Sequence, residues 1–230
     1  YKRSAGELAS EIDAVGGQIN AFTAREYTCF YTKTLDAHAS VAMDVLSDMI
    51  FNSKLSDEDI NLERGVIAEE INMYEDSPED LVYDLFSEAV WGDTPMGRTI
   101  LGTKESLCGI NSDVMRAYME THYTCDNMII SVSGNLCENF FELLEQYFGK
   151  ASLNKGKPQM PEAEYQSGSI VRRKDTEQLQ LVVGFKGIDI MDDSVYSLLV
   201  FNNVFGSGMS SRLFQNIREK YGLVYSICAG

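Results

Sequence analysis

The spacing of apolar and polar residues predicts helices and short strands along the first 150 positions. Ser4 and Glu7 form a capping-box pattern ahead of a helix that ends at Gly16 and Gly17. Residues rich in Ile, Phe, Tyr and Thr then alternate with polar ones around a tight turn at 24–26, which predicts a β-hairpin. Helical spacing returns afterwards, and the further predicted elements are helices 36–51, 57–74, 77–91, 112–122 and 138–148 and strand 128–133.

A change of composition near residue 150 separates two predicted domains. Residues 151–166 are rich in Lys, Asn, Gly, Pro and Glu without periodicity, which predicts a linker between a domain at 1–150 and a second at 167–230. The second is expected to be the truncated start of a similar domain, because its predicted elements follow the order of the first. The expected fold class is α+β, with a mostly antiparallel sheet covered by helices. The predicted elements of the second domain are strands 168–173, 179–185 and 224–228 and helices 193–205 and 211–221.

Charge and cysteine usage exclude several classes of function. The chain has 35 acidic and 19 basic residues and a net charge of -16, which argues against a nucleic-acid or membrane partner. Its five cysteines include no C-x-x-C pair, so a reducing, cytoplasmic location is expected. The N-terminus lacks an apolar signal core and no stretch approaches the length of a membrane span. The chain opens without Met and stops just after a strand-like run, so residues are expected to be missing at both ends.

Two glutamates in the predicted helix 57–74 are candidates for a shared site. Glu63 and Glu70 are seven residues apart, which is almost two helical turns, so both side chains project from one side of the helix. Glu69 differs from Glu70 by about 100° around the helix, so only one of these neighbours can face such a site. From spacing alone, a solvated acidic face is the more common explanation.

Several segments of the chain together resemble the pitrilysin/insulinase family of zinc metallopeptidases, also called inverzincins. They resemble most its bacterial processing-protease branch, which is similar to the β subunit of mitochondrial processing peptidase. The matches occur in the family's order over nearly the whole chain. The segments are 16–31 (GGQINAFTAREYTCFY), the glutamate helix with 73–78 (MYEDSP), 97–103 (GRTILGT), 123–134 (YTCDNMIISVSG) and 211–226 (SRLFQNIREKYGLVYS).

This resemblance implies a zinc cofactor that the present chain can bind only in part. The family takes its zinc ligands from H-x-x-E-H on one helix and from a distal glutamate. By position Glu70 matches that distal ligand, and Glu63 matches the acidic residue that supports the catalytic site. The only histidines, His38 and His122, lie outside any H-x-x-E-H and are expected to have structural roles, so the motif is expected upstream of Tyr1.

The resemblance also implies two groups of substrate-binding residues. Asn20, Ala21 and Phe22 would bind peptide backbone at a sheet edge, although an interior strand is the alternative. Arg218 and Tyr225 would contact the substrate, with Tyr225 donating a hydrogen bond to the developing oxyanion. Without the resemblance, a core tyrosine and a surface arginine would be the preferred interpretation.

The expected function is that of a fragment of a zinc endopeptidase that encloses unfolded peptides between two halves. The fragment itself is expected to be inactive, because it lacks H-x-x-E-H. The expected partners are a peptide substrate and either a second copy or a related subunit. Two alternatives stay open, which are a non-catalytic partner subunit of the same family and a peptide-binding module that uses an edge strand.

Overall fold

A computed structural model describes residues 3–149 and 154–230 of the chain. By its internal contacts the chain divides into two compact units, Tyr1–Val182 and Val183–Gly230. The described residues are rich in helix and include one two-stranded antiparallel sheet, so the expected α+β class is confirmed. No helix in these ranges is long and apolar enough to cross a membrane.

The first unit contains the hairpin and most of the helices. Five of its helices begin after a residue whose side-chain oxygen accepts an N–H of the first turn, as Ser56 does from Asp59 and Ser77 from Asp80. The elements are α1 Ala5–Ala14, β1 Gln18–Thr23, β2 Thr28–Lys33, α2 Ala39–Phe51 after a 3-10 turn at Asp36–His38, α3 Asp57–Asp76, α4 Pro78–Trp91, α5 Lys104–Cys108, α6 Ser112–His122, a 3-10 turn at Cys125–Asn127, and α7 Phe140–Leu144 with a π-helical turn at Glu145–Gly149.

The second unit has one regular helix, α8 Val195–Gly206, and a π-helical segment, Phe214–Lys220. Both fall where the sequence predicts helices.

The hairpin is antiparallel, and its register fixes which backbone groups face outward. Ala24 N–H donates to Tyr27 O at 2.8 Å, which makes this pair hydrogen-bonded, and the pairing continues to Gln18 opposite Lys33. Hydrogen-bonded and non-hydrogen-bonded pairs alternate along an antiparallel ladder. The backbone groups of Asn20 and Phe22 therefore bond to β2, whereas those of Ile19, Ala21 and Thr23 point away from it.

The core of the first unit lies where α1 and α2 meet the hairpin, and it contains a cluster of charges. Ile12 of α1 and Val45 of α2 are completely buried. Beside them the guanidinium of Arg3 is within 2.9 Å of carboxylate oxygens of both Asp44 and Asp48. Asp48 is almost fully buried, so this cluster satisfies a charge that would otherwise be costly to bury, and it ties the start of α1 to α2.

The second half of the predicted linker is attached to α4. Gln166 N–H donates to Val90 O at 2.8 Å, and the rings of Trp91 and Tyr165 meet edge to face with centroids 6.4 Å apart. The linker boundaries themselves stay a prediction, and residues 150–153 lie outside the described residues.

The structure corrects several details of the local predictions. The sequence pattern predicts Ser112 as the cap of the helix 112–122. The cap of α6 is instead Asn111, which accepts the N–H of Val114, whereas Ser112 donates to Leu55 O. The predicted strands 128–133, 168–173, 179–185 and 224–228 show no ladder pairing, because alternation in sequence supplies strand propensity but no partner strand. Many of their apolar side chains are exposed, among them Ile129, Val171, Leu179 and Phe185.

Candidate functional site

Helix α3 carries the candidate metal ligand on an open face. Ile71 is buried and Ile67 half-buried on the side that packs against α4 and α5, whereas Glu63 and Glu70 are exposed. Within the described part of the chain, neither glutamate forms a hydrogen bond or an ion pair. Both carboxylates are therefore available to a ligand or to another chain segment.

An apolar stripe lies beside these glutamates on α3. Leu62, Val66 and Met73 are all more than half exposed, at 74%, 57% and 71%. Their positions fall within about 40° of one another around the helix, next to the stripe of Glu63 and Glu70. The helical spacing of Ile60, Val66, Ile67 and Ile71 predicts that all four face the core. For Val66 this is wrong, because the contacts of α3 with α4 and α5 set its buried face. An exposed apolar stripe of this kind is typical of a helix that packs against a further element.

No complete metal site occurs among the residues that the structure describes. No group of three or more His, Cys, Asp or Glu side chains in 3–149 and 154–230 could hold an ion. His38 is half-buried at the start of α2, and the ring of His122 stacks on Tyr118 with centroids 4.0 Å apart. These positions suit the structural roles expected for both histidines, and the role of Glu70 as a zinc ligand stays a prediction.

The outer edge of β1 is open to an added strand. Among the described residues, β1 pairs with β2 alone, and the backbone of Ile19, Ala21 and Thr23 faces the other side. The outward N–H of Ala21 donates to the side-chain oxygen of Asn20 at 2.8 Å. An open depression of about 530 Å³ lies alongside, lined by Ala9, Asp13, Gly17, Gln18, Ile19, Asn20 and Tyr31.

The three predicted peptide-binding residues therefore differ in what they offer. Ala21 presents backbone groups to the open edge, and Asn20 presents a side-chain amide. Phe22 presents its ring, which is about half exposed and packs edge to face against Tyr27 and Tyr31. Peptide binding by these residues stays a prediction.

In the second unit, Arg218 and Tyr225 lie close together. The guanidinium carbon of Arg218 is 5.9 Å from the centre of the Tyr225 ring and 4.6 Å from that of Phe214. Tyr225 is 85% exposed, so the core tyrosine of the alternative interpretation does not describe it. The roles of Arg218 and Tyr225 in substrate contact stay predictions.

Two arginines that attach the hairpin and α3 to the rest of the first unit were not predicted from the sequence. Arg25, in the turn of the hairpin, and Arg64, on α3, each donate to two backbone carbonyls of the segment that connects α4 to α6. Backbone acceptors have no sequence signature. The sequence offers one weak signal for Arg25, which is its position in the predicted turn. A polar residue in a turn is usually exposed, so this signal did not predict that Arg25 is largely buried.

Comparison with known families covers almost the whole chain. The family model described as insulinase, peptidase family M16, matches residues 1–104. The model described as the peptidase M16 inactive domain matches residues 109–230.

Among curated relatives, the chain is 45% identical over 225 residues to a Bacillus subtilis protein named as an uncharacterised zinc protease, YmxG, covering 98% of the chain and 55% of that protein. It is 39% identical to an uncharacterised zinc protease of Streptomyces coelicolor, covering 98% of the chain and 51% of that protein. The chain thus spans about half the length of the curated relatives it matches.

Solved structures show the same fold at lower identity. A protease from Helicobacter pylori superposes with a TM-score of 0.78 at 20% identity, covering 98% of this chain and 56% of its own. A peptidase M16 inactive domain from Pseudomonas fluorescens superposes with a TM-score of 0.79 at 17% identity, covering 100% of this chain and 57% of its own.

Proposed function

The chain belongs to the insulinase family of peptidases, family M16, and on that premise we propose that it is part of a zinc-dependent endopeptidase acting on unfolded peptides. The observation that carries the proposal is the open face of α3. It combines the carboxylates of Glu63 and Glu70, which are exposed and unpaired among the residues that the structure describes, with the exposed stripe of Leu62, Val66 and Met73. A helix carrying the remaining metal ligands would cover that stripe and bring its ligands to Glu70.

The donor set present in this chain fits zinc in part. An exposed carboxylate such as Glu70 is an ordinary zinc ligand, and a catalytic site needs three protein ligands with a fourth position open. When bound, zinc lowers the pKa of its water to about 7 and so supplies a nucleophile at neutral pH. Glu63, one heptad before Glu70, would orient the site and add negative charge close to the metal.

The peptide would bind by adding a strand to β1. The outward backbone groups of Ile19, Ala21 and Thr23 supply the hydrogen bonds, and the depression beside β1 leaves room for alternate side chains. Ala21 N–H is already bonded to Asn20, so an incoming carbonyl replaces the amide of Asn20.

The same open edge supports a second candidate, a peptide-binding module or partner subunit without chemistry. It binds peptide through β1 but needs neither Glu70 nor Tyr225. Cleavage of a bound peptide distinguishes the two candidates, because only the endopeptidase turns its substrate over.

The test uses the whole protein with H-x-x-E-H and measures zinc by elemental analysis and cleavage of a quenched fluorescent peptide. Glu70→Gln is expected to remove metal and activity together. Glu63→Gln is expected to retain a larger fraction of the wild-type zinc content than of the wild-type activity. The reason is that replacing a group that supports a metal site without binding the metal typically lowers metal affinity or activity by about 10–100-fold.

Glu69→Gln is the matched control, because Glu69 is an exposed glutamate of the same helix about 100° away from Glu70. It should keep both zinc and activity. Loss of zinc in Glu69→Gln with retention of zinc in Glu70→Gln would show that Glu69, and not Glu70, is the zinc ligand. Peptide binding without turnover in the wild type would favour the second candidate.

A further inference from the structure

Arg25 attaches the turn of the hairpin to α4 and to the segment that follows it. Its guanidinium donates to Met96 O at 3.0 Å and Arg98 O at 2.5 Å, and it pairs with Asp84 of α4 at 2.9 Å. The side chain of Arg25 is only 22% exposed, and that of Asp84 is 23% exposed. Hydrogen bonds of a charged group in such a setting are stronger than surface contacts.

Arg64 attaches α3 to the other end of the same segment. It donates from Nε to Leu107 O at 3.2 Å and from Nη2 to Ile110 O at 2.5 Å. A second link is close by, because Lys104 Nζ donates to the side-chain oxygen of Asn72 on α3 at 2.5 Å. The segment 96–110, which we call the strut, is therefore held by the hairpin at its start and by α3 at its end.

Local contacts restrict the backbone of the strut at both of its ends. A Cβ added to Gly97 would lie 2.0 Å from Gly92 O, so the backbone closes tightly on itself at this point. Gly92 adopts φ +58°, a conformation that favours glycine. Further along, Thr103 and Ser106 cap α5 reciprocally, and Leu107 is buried.

The chemistry of both attachments requires arginine. A planar guanidinium with five donors can bond two carbonyls and a carboxylate at once, whereas a lysine ammonium acts as a single compact charge. Arg25 uses this capacity on Met96, Arg98 and Asp84, and Arg64 uses it on Leu107, Ile110 and Asn61.

We infer that Arg25 and Arg64 are positioning residues that, through the strut, hold the β1 edge at a fixed distance from the glutamate face of α3. This inference rests on the proposed function, in which the edge binds peptide and Glu70 binds the metal. Catalysis would require the bound peptide to lie at a fixed distance from Glu70, and a misplacement of about 1 Å can lower the rate by about 100-fold. The two arginines fix that distance without touching either reactant.

Hydrogen–deuterium exchange of the 230-residue chain tests the mechanical part of the inference. Arg64→Ala should raise the exchange rate of the strut and also of the β1–β2 hairpin by at least about tenfold, because it removes both bonds to the strut and the loss of a single charged hydrogen bond worth about 1.4 kcal/mol already corresponds to a factor of ten. An effect on the hairpin is one that a purely local role of Arg64 would not produce. Arg25→Lys should behave like Arg25→Ala, because one ammonium does not bond all three acceptors.

Two arginines of the same unit serve as controls. Arg98 lies in the strut but its side chain forms an exposed pair with Asp93, and Arg116 donates to a backbone carbonyl, Lys54 O, outside the strut. Arg98→Ala and Arg116→Ala should leave exchange in the hairpin unchanged. Unchanged hairpin exchange in Arg64→Ala, or an equal rise in Arg116→Ala, would overturn the inference.

A kinetic measurement on the whole zinc-loaded protein tests the functional part. Arg25→Ala and Arg64→Ala should each lower kcat/KM by about 10–100-fold at full zinc content, with non-additive losses in the double variant, as for residues that act through one element. Additive losses, or full activity in either variant, would overturn the inference. A wild-type protein without peptidase activity would instead defeat the proposed function, and the exchange results would still decide the mechanical claim.

Discussion

The role as an oxyanion donor that is predicted for Tyr225, an exposed residue beside Arg218, can be tested separately from the substrate contact that is predicted for Arg218. In the whole protein, Tyr225→Phe should lower kcat with little change in KM, because the donated bond strengthens only in the transition state. A loss of about 10²-fold would match one oxyanion donor. Arg218→Ala should also raise KM, because a guanidinium that holds substrate carbonyls contributes to ground-state binding.

Steady-state kinetics and zinc analysis on the same samples check this prediction. Both variants should keep the wild-type zinc content, since neither residue is a proposed ligand. Full activity in Tyr225→Phe would rule out Tyr225 as an oxyanion donor.

The capping box of α1 gives a stability prediction for single residues. Ser4 Oγ accepts the N–H of Glu7, while Ser4 N–H donates to the Glu7 carboxylate at 2.6 Å. The backbone and hydroxyl of Ser4 hold the pKa of Glu7 below its ordinary value. Because Ser4→Ala removes the side-chain cap on the N–H of Glu7, it should lower the free energy of unfolding by about 1 kcal/mol.

Urea denaturation checks this prediction, with Ser10→Ala as the control, because Ser10 bonds Gly6 O inside the same helix and caps nothing. The contribution of the Glu7 carboxylate to the free energy of unfolding should be fully present above the ordinary glutamate pKa. It should disappear as the pH falls through the lowered pKa of Glu7. The difference between wild type and Ser4→Ala should thus shrink in acid. An equal loss in Ser10→Ala would argue against the cap.

Among the elements, the turn at the start of the strut is the one most sensitive to a single methyl group. Gly97→Ala places its Cβ within 2.0 Å of Gly92 O, so the backbone must shift, and a loss of about 1–3 kcal/mol is expected. Gly65→Ala is the matched control, since Gly65 lies on α3 with open space around it. That change should stabilise the chain by about 0.5–1 kcal/mol. Equal effects in urea denaturation would mean that the turn is less tight than the structure indicates.

The helices and the hairpin could be predicted from sequence because their determinants are local. The Ser4–Glu7 capping box, Pro78 in the first turn of α4 and the alternation around turn 24–26 all act within a few residues. The strand predicted at 128–133 failed because a ladder needs a distant partner. The exposure of Val66 was missed because the neighbours of α3, and not its own periodicity, decide which side is buried.

For the molecule as a whole, the sequence could indicate the family and its candidate residues but not how they are held. Glu63, Glu70, Arg218 and Tyr225 are candidates because the segments around them resemble the family, whereas their spacing alone would favour a solvated acidic face and structural roles. Arg25 and Arg64 act on backbone carbonyls of the strut, which any sequence could provide. Their role appears only when the chain is folded.

The last prediction concerns zinc and the chain as a whole. The 230-residue chain should bind zinc weakly or not at all, because Glu70 alone falls short of the three protein ligands that a catalytic zinc requires. Elemental analysis after dialysis against a mild chelator measures this, with the whole protein as the positive control. If the chain kept one zinc per molecule, the ligands would have to come from its own residues, and the proposed completion of the site by a helix outside it would be wrong.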